Sequence, residues 1–171
     1  MEYDQKTFQG CGLVFVTQVT NVSLTKTAQP DAVLIDREYG NIITYTLEGV
    51  NNSNHDMRAV EIWDKLPTGL APRFSYVEGS ATITIPGTDP YNSGFEPQII
   101  RNNGQTLIWA FGELPEGIYL AKDGGSFVLT YEVLVPAGLL LEPGESASYT
   151  NQASFKYDNQ TIAQESATVV V

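Results

Sequence analysis

Residues 22–27 read VSLTKT, and the lysine in that run falls where an apolar residue belongs. Val22, Leu24 and Lys26 alternate with Ser23, Thr25 and Thr27. In a β-strand successive side chains point to opposite faces, so Lys26 shares the inward face with two apolar neighbours. Two later stretches repeat the arrangement. In AVEIWD (59–64), Val60, Ile62 and Asp64 fall on one face; in NQASFKY (151–157), Asn151, Ala153, Phe155 and Tyr157 do. An amine, a carboxyl and a carboxamide, each on a core phase, are expensive to bury separately. Together they are the reactants for a covalent bond between side chains.

The rest of the chain carries the same strand signature. Helical periodicity is nearly absent, and PAGLLLEPG (136–144) is too short and too bounded by Pro and Gly to be a helix. Strand patterns run near 13–19, 22–28, 41–48, 58–64, 74–77, 80–85, 97–101, 106–111, 126–135, 146–157 and 161–171. Turn-forming clusters such as NNSNHD, LPTG, RNNGQ, KDGG and EPGE separate them. Strands at this spacing predict an all-β, Ig-like antiparallel β-sandwich of Greek-key type with an N-terminal extension. RNNGQ is the best hairpin signal, with Asn-Gly suited to a type I′ turn. The Pro/Gly-rich stretch from Pro86 to Pro97 reads as a surface insertion.

Composition bounds the function. The chain has 171 residues, 42% of them hydrophobic, enough for one domain with a sizeable core. Nine Lys+Arg against 20 Asp+Glu give a formal charge of -11, which argues against nucleic acid and anionic membrane surfaces as partners. No apolar run approaches membrane-spanning length. The opening MEYDQKTFQGCG lacks a basic stretch followed by an apolar one, so it does not read as a secretory signal peptide. If the protein acts outside a cell, release by lysis of a mother cell is the expected route.

His55 is the only histidine, so no nucleophile has a placed base and an enzyme is not expected. His55 lies in a turn and reads as solvated. No metal-ligand spacing or phosphate cradle occurs, and no cofactor is expected. Asn21-Val-Ser23, Asn51-Asn-Ser53 and Asn159-Gln-Thr161 fit the glycan-acceptor pattern, which arises often by chance in Asn/Thr-rich chains. Trp63 and Trp109 fit either a carbohydrate platform or the sandwich core.

Several stretches, VSLTKTAQPDAVLIDREYGNIITYTLEGVNN, AVEIWDKLPTGL, LIWAFGELPEG and YTNQASF, together resemble the DUF11 domain and the similar isopeptide-forming D2-type domain of Gram-positive surface and fimbrial proteins. The likeness covers roughly residues 22–157, and Asp64-Lys65-Leu66-Pro67-Thr68-Gly69-Leu70 is its most specific piece. Tyr39-Gly40-Asn41 departs from the family, which has Gly-Asp or Gly-Glu there, and one copy stands where tandem arrays are usual. The resemblance implies a surface or appendage protein in which Lys26 is joined to Asn151 with Asp64 assisting. The alternative is that Lys26 snorkels to a sheet edge and pairs with Asp64 while Asn151 satisfies backbone groups in a turn. Glu48, Glu61 and Glu132 are fallback acids.

The sandwich can start at Val22, leaving residues 1–19 as an arm and 20–171 as the domain. In the arm, Leu13, Phe15 and Thr17 form one face and Val14, Val16 and Gln18 the other. A surplus strand can complete a neighbour's sheet, and head-to-tail contacts of that kind build filaments. The alternative is an ordinary first strand. Cys11, in a Gly-Cys-Gly hinge, is open to pairing with another chain or to simple burial. These readings predict a self-assembling subunit of an extracellular fibre, a homopolymer on a bacterial cell or spore surface. The competing expectation is an adhesin module that recognises a glycan or host protein through the 86–97 loop.

Overall fold

The computed structural model describes residues 17–34, 40–68, 74–86, 95–101, 104–114, 119–137 and 146–171. Among these residues ten strands form: β1 (Val22–Gln29), β2 (Asn41–Asn51), β3 (Val60–Lys65), β4 (Ser75–Tyr76), β5 (Thr82–Thr84), β6 (Gln98–Ile100), β7 (Thr106–Ala110), β8 (Gly125–Val135), β9 (Ser148–Tyr157) and β10 (Gln160–Val170). They build two antiparallel sheets, β1-β2-β8-β4 with β5 also on β8, and β10-β9-β3-β7-β6. The protein is an all-β, Ig-like antiparallel sandwich.

The alternation that predicts the strands also sets the burial. Ile43, Tyr45 and Leu47 of β2 and Phe127, Leu129, Tyr131 and Val133 of β8 are buried between the sheets. Val60, Ile62, Leu107, Trp109, Ala153 and Phe155 face them from the second sheet. Each large apolar side chain so enclosed contributes about 1.5–3 kcal/mol. The register places Tyr45 beside Tyr131 and Gly49 beside Phe127. Gly49 has no side chain because the Phe127 ring occupies the space: a Cβ there would stand 2.7 Å from Phe127 Cζ.

β8 is long enough to serve two short strands on its free edge. β5 pairs with its middle and β4 with its end. Between them the ladder is interrupted, and the Ser80 hydroxyl accepts the Glu132 N–H that would otherwise be orphaned. After β1 the chain changes sheets. Val33 N–H donates to Val170 O and Val170 N–H to Asp31 O, both at 2.9 Å, so the segment forms a parallel bridge with β10.

Two expectations need correction. Residues 17–19 were expected to end a first strand, but they join neither sheet. The Asn54 amide takes both their polar groups, with Val19 N–H donating to Oδ1 and Nδ2 donating to Thr17 O. His55 was expected to be solvated, yet it is half-buried, with its ring 5.7 Å from that of Tyr157. Cys11, Leu13, Val14, Phe15 and Val16 lie outside the described residues, as do most of the 86–97 stretch and the tip of the RNNGQ hairpin.

Candidate functional site: a buried amine, carboxyl and carboxamide

β1 is an edge strand of the first sheet, and its inward positions are Leu24 and Lys26. Lys26 lies opposite Leu47 of β2. Its side chain extends across β2 over the Tyr45 ring, 5.0 Å from the ring centre, and ends beside Tyr131 of β8. β3 supplies Asp64 from the facing sheet. Asp64 sits between Leu107 of β7 and Ala153 of β9. Asn151 is two residues before Ala153 on the same face of β9, opposite Ala167 of β10. The alanines leave room for the two polar side chains.

These elements bring Lys26, Asp64 and Asn151 together in the core. The Lys26 ammonium donates to Asp64 Oδ2, and neither side chain has any exposure to solvent. Lys26 Nζ also lies 3.2 Å from the Tyr131 hydroxyl. Asn151 Nδ2 donates to that hydroxyl at 3.0 Å. One phenol oxygen therefore touches both the amine and the amide nitrogen. Asp64 Oδ1, Asn151 Oδ1 and the Tyr45 hydroxyl are buried with no hydrogen-bond partner among the described residues. An unpaired buried polar atom costs about 1–3 kcal/mol.

Burial governs the protonation of the site. It lowers the Lys26 pKa, and the Asp64 carboxylate beside it only partly opposes that shift. It raises the Tyr131 pKa well above the usual phenol value, helped by the charge of Asp64. Tyr45 is raised for the same two reasons, burial first. Both phenols stay protonated, and the amine is pushed toward its neutral, nucleophilic form.

Of the alternative reading, the ion pair of Lys26 with Asp64 is present, but the lysine is enclosed rather than snorkelling to an edge, and Asn151 lies inside a strand rather than in a turn. The fallback acids point elsewhere. Glu48 is exposed, and Glu61 accepts a 2.6 Å hydrogen bond from Trp63 Nε1 on the outer face of its sheet. Glu132 is half-buried on the face opposite Tyr131. Trp63 is capped there by Lys156, with Nζ 3.5 Å from the ring centre, whereas Trp109 is core.

Tyr131 and Tyr45 belong to the site and were not singled out from the sequence. The available signal was phase. In SFVLTYEVLV the tyrosine alternates with Phe127, Leu129, Val133 and Val135, which places a hydroxyl in the core that needs a partner there.

No protein-family model matches the chain, and no curated protein matches it. Solved structures share its fold. The N-terminal domain of the Streptococcus gordonii adhesin Sgo0707 is similar at a TM-score of 0.57 and 14% identity, over 86% of this chain and 32% of that one. A point variant of BcpA, the major pilin subunit of Bacillus cereus, is similar at 0.54 and 15%, over 88% and 40%. The pilus backbone RrgB of Streptococcus pneumoniae follows at 0.50 and 12%, over 81% and 32%. The chain thus spans 32–40% of the length of these structures. At such identities the likeness is one of fold.

Proposed function

We propose that this protein is a structural module of a bacterial surface fibre, non-enzymatic toward outside substrates and locked by an internal amide bond between Lys26 and Asn151. The observation that carries this reading is the enclosed cluster of amine, acid and carboxamide linking β1 to β3 and β9 across the sandwich. Proton transfer from Lys26 to Asp64 yields a neutral amine and a neutral acid. The amine attacks the Asn151 amide carbon, the Cγ–Nδ2 bond breaks, and ammonia leaves. The protonated acid would polarise the Asn151 carbonyl, whose oxygen is buried without a hydrogen-bond partner among the described residues.

The bond would matter mechanically. Lys26 lies in the first strand and Asn151 in the last but one. Tension arriving at the two ends would be carried by the crosslink, and most of the chain between would bear none. The sandwich fold is also that of an adhesin domain and of pilin subunits, which supports a role at a bacterial surface.

Assembly is assigned to residues 1–19, the arm that precedes the sandwich, with an apolar run at 13–16 suited to completing a neighbour's sheet. The product would be a homopolymer on the exterior of a cell or spore. Electron microscopy of the purified protein tests this. Fibres that disappear on deletion of residues 1–19 support assembly; monomers that bind a glycan or host protein support the adhesin reading instead.

A further inference from the structure

We propose that Tyr131 is the proton relay of the bond-forming step, carrying a proton from the attacking lysine nitrogen to the departing amide nitrogen. The inference rests on the proposed Lys26–Asn151 bond and adds to it a residue that the three-component description omits.

Ammonia can leave only if Nδ2 of Asn151 gains a proton, and the new amide forms only if Nζ of Lys26 gives one up. Asp64 accounts for a different proton, the one that makes the ammonium neutral. The exchange is completed by a group that reaches both nitrogens. The Tyr131 hydroxyl is in hydrogen-bond contact with both, at 3.2 Å from Nζ and 3.0 Å from Nδ2. Its oxygen has lone pairs to receive one proton and an O–H to deliver another, so both transfers can occur in one movement that leaves the phenol unchanged.

The balance closes. An ammonium, a carboxylate and a carboxamide become a secondary amide, a carboxylic acid and ammonia. The Nζ–Cγ bond forms, the Cγ–Nδ2 bond breaks, and no oxidant, metal or water is consumed. Solvent cannot substitute for the phenol, because Lys26, Asp64 and Asn151 side chains are enclosed.

Packing fixes the hydroxyl in place. The Tyr131 ring stacks on Tyr45 with centres 5.6 Å apart and lies 4.9 Å from Trp109. Tyr76 provides the internal comparison, since its ring also packs beside that of Tyr131, 6.4 Å away, while its hydroxyl donates to Glu96 and touches neither nitrogen.

The test is a time course of intact mass on newly synthesised full-length chain, comparing wild type, Tyr131→Phe and Tyr76→Phe, each shown to be folded by circular dichroism. We expect wild type and Tyr76→Phe to lose one ammonia at similar rates and Tyr131→Phe to lose it at least about 100-fold more slowly. Loss from Tyr131→Phe at the wild-type rate overturns the relay and leaves the bond intact. No loss from wild type overturns the bond itself. Should Tyr131→Phe not fold, wild-type chain made with 3-fluorotyrosine keeps the shape while weakening the hold of each phenol on its proton. A changed rate then supports the relay and an unchanged rate overturns it.

Discussion

Lys26 and Asp64, 38 residues apart in the chain and on opposite sheets, meet in the core with no solvent on either side chain. Neither could be buried alone at acceptable cost, and the pair is tolerable only because each offsets the charge of the other. The first prediction follows from that dependence. Asn151→Ala and Asp64→Ala both abolish the crosslink, but only the second strands the lysine. Urea unfolding should place Asp64→Ala about 3–5 kcal/mol below Asn151→Ala. Equal stabilities would show that the pair contributes nothing beyond the bond.

The bond itself predicts a mass. Wild type should be lighter than its sequence by one ammonia, and Lys26→Ala or Asn151→Ala should restore the full value. High-resolution intact-mass spectrometry reads this directly. An unmodified wild-type mass removes the crosslink from the mechanism.

The lowered Lys26 pKa gives a pH dependence with a definite sign. In a chain that cannot crosslink, the folded state releases the lysine proton at lower pH than the unfolded state, whose value is near 10.5. Between those two values the unfolded state binds more protons, so stability rises with pH. The buried tyrosines act in the opposite sense. Tyr76, held up to about 12 by burial and by its hydrogen bond to Glu96, keeps its proton in the fold when the unfolded phenol ionises near 10. Stability therefore falls above that point. Asn151→Ala should show a lysine-driven rise on approaching pH 10 from below, while the crosslinked wild type, whose Nζ no longer titrates, lacks it. Urea midpoints measured across this range for both proteins would reveal the difference, and parallel curves would contradict it.

Gly49 tests the packing that holds the site rigid. Its neighbour Phe127 cannot withdraw, because that ring is packed edge-on against Phe111 at 5.1 Å and beside Phe155 at 6.3 Å. Gly49→Ala should cost about 1–3 kcal/mol through overpacking, read as a lower urea midpoint with an unchanged slope. A neutral result would mean that β2 can move away from β8.

The strands were legible because burial here follows a period of two almost without exception, as in β2 and β8. Phase also exposed Lys26, Asp64 and Asn151, since a charged or amide residue breaks an apolar face visibly. Tyr131 escaped for the complementary reason. A tyrosine fits an apolar face, so only its hydroxyl is anomalous, and a sequence does not show whether that hydroxyl reaches a partner. The strand expected through 17–19 failed on a different point. The expectation rested on the apolar run at 13–16, but at 17–19 the Asn54 side chain takes the backbone groups that a ladder would need. The parallel bridge of Ala32 with Val170 was invisible because it joins single residues from the two ends of the fold.

That Asn54 clamp leads to the last prediction. Residues 17–21 contribute exposed or half-exposed hydrogen bonds to the Ser53–Asn54 turn and no buried apolar side chain, with Val19 55% exposed. Surface bonds of this kind add little to stability. Deleting residues 1–19 should therefore leave the thermal midpoint of the sandwich within a few degrees of wild type and leave the Lys26–Asn151 mass deficit unchanged. Light scattering and electron microscopy of the same sample should find only monomers. Asn54→Ala should release the arm's base while keeping its apolar run, so fibres would still form but with a less regular repeat. If instead the truncated protein melts far below wild type, the arm is part of its own domain and the assembly reading fails.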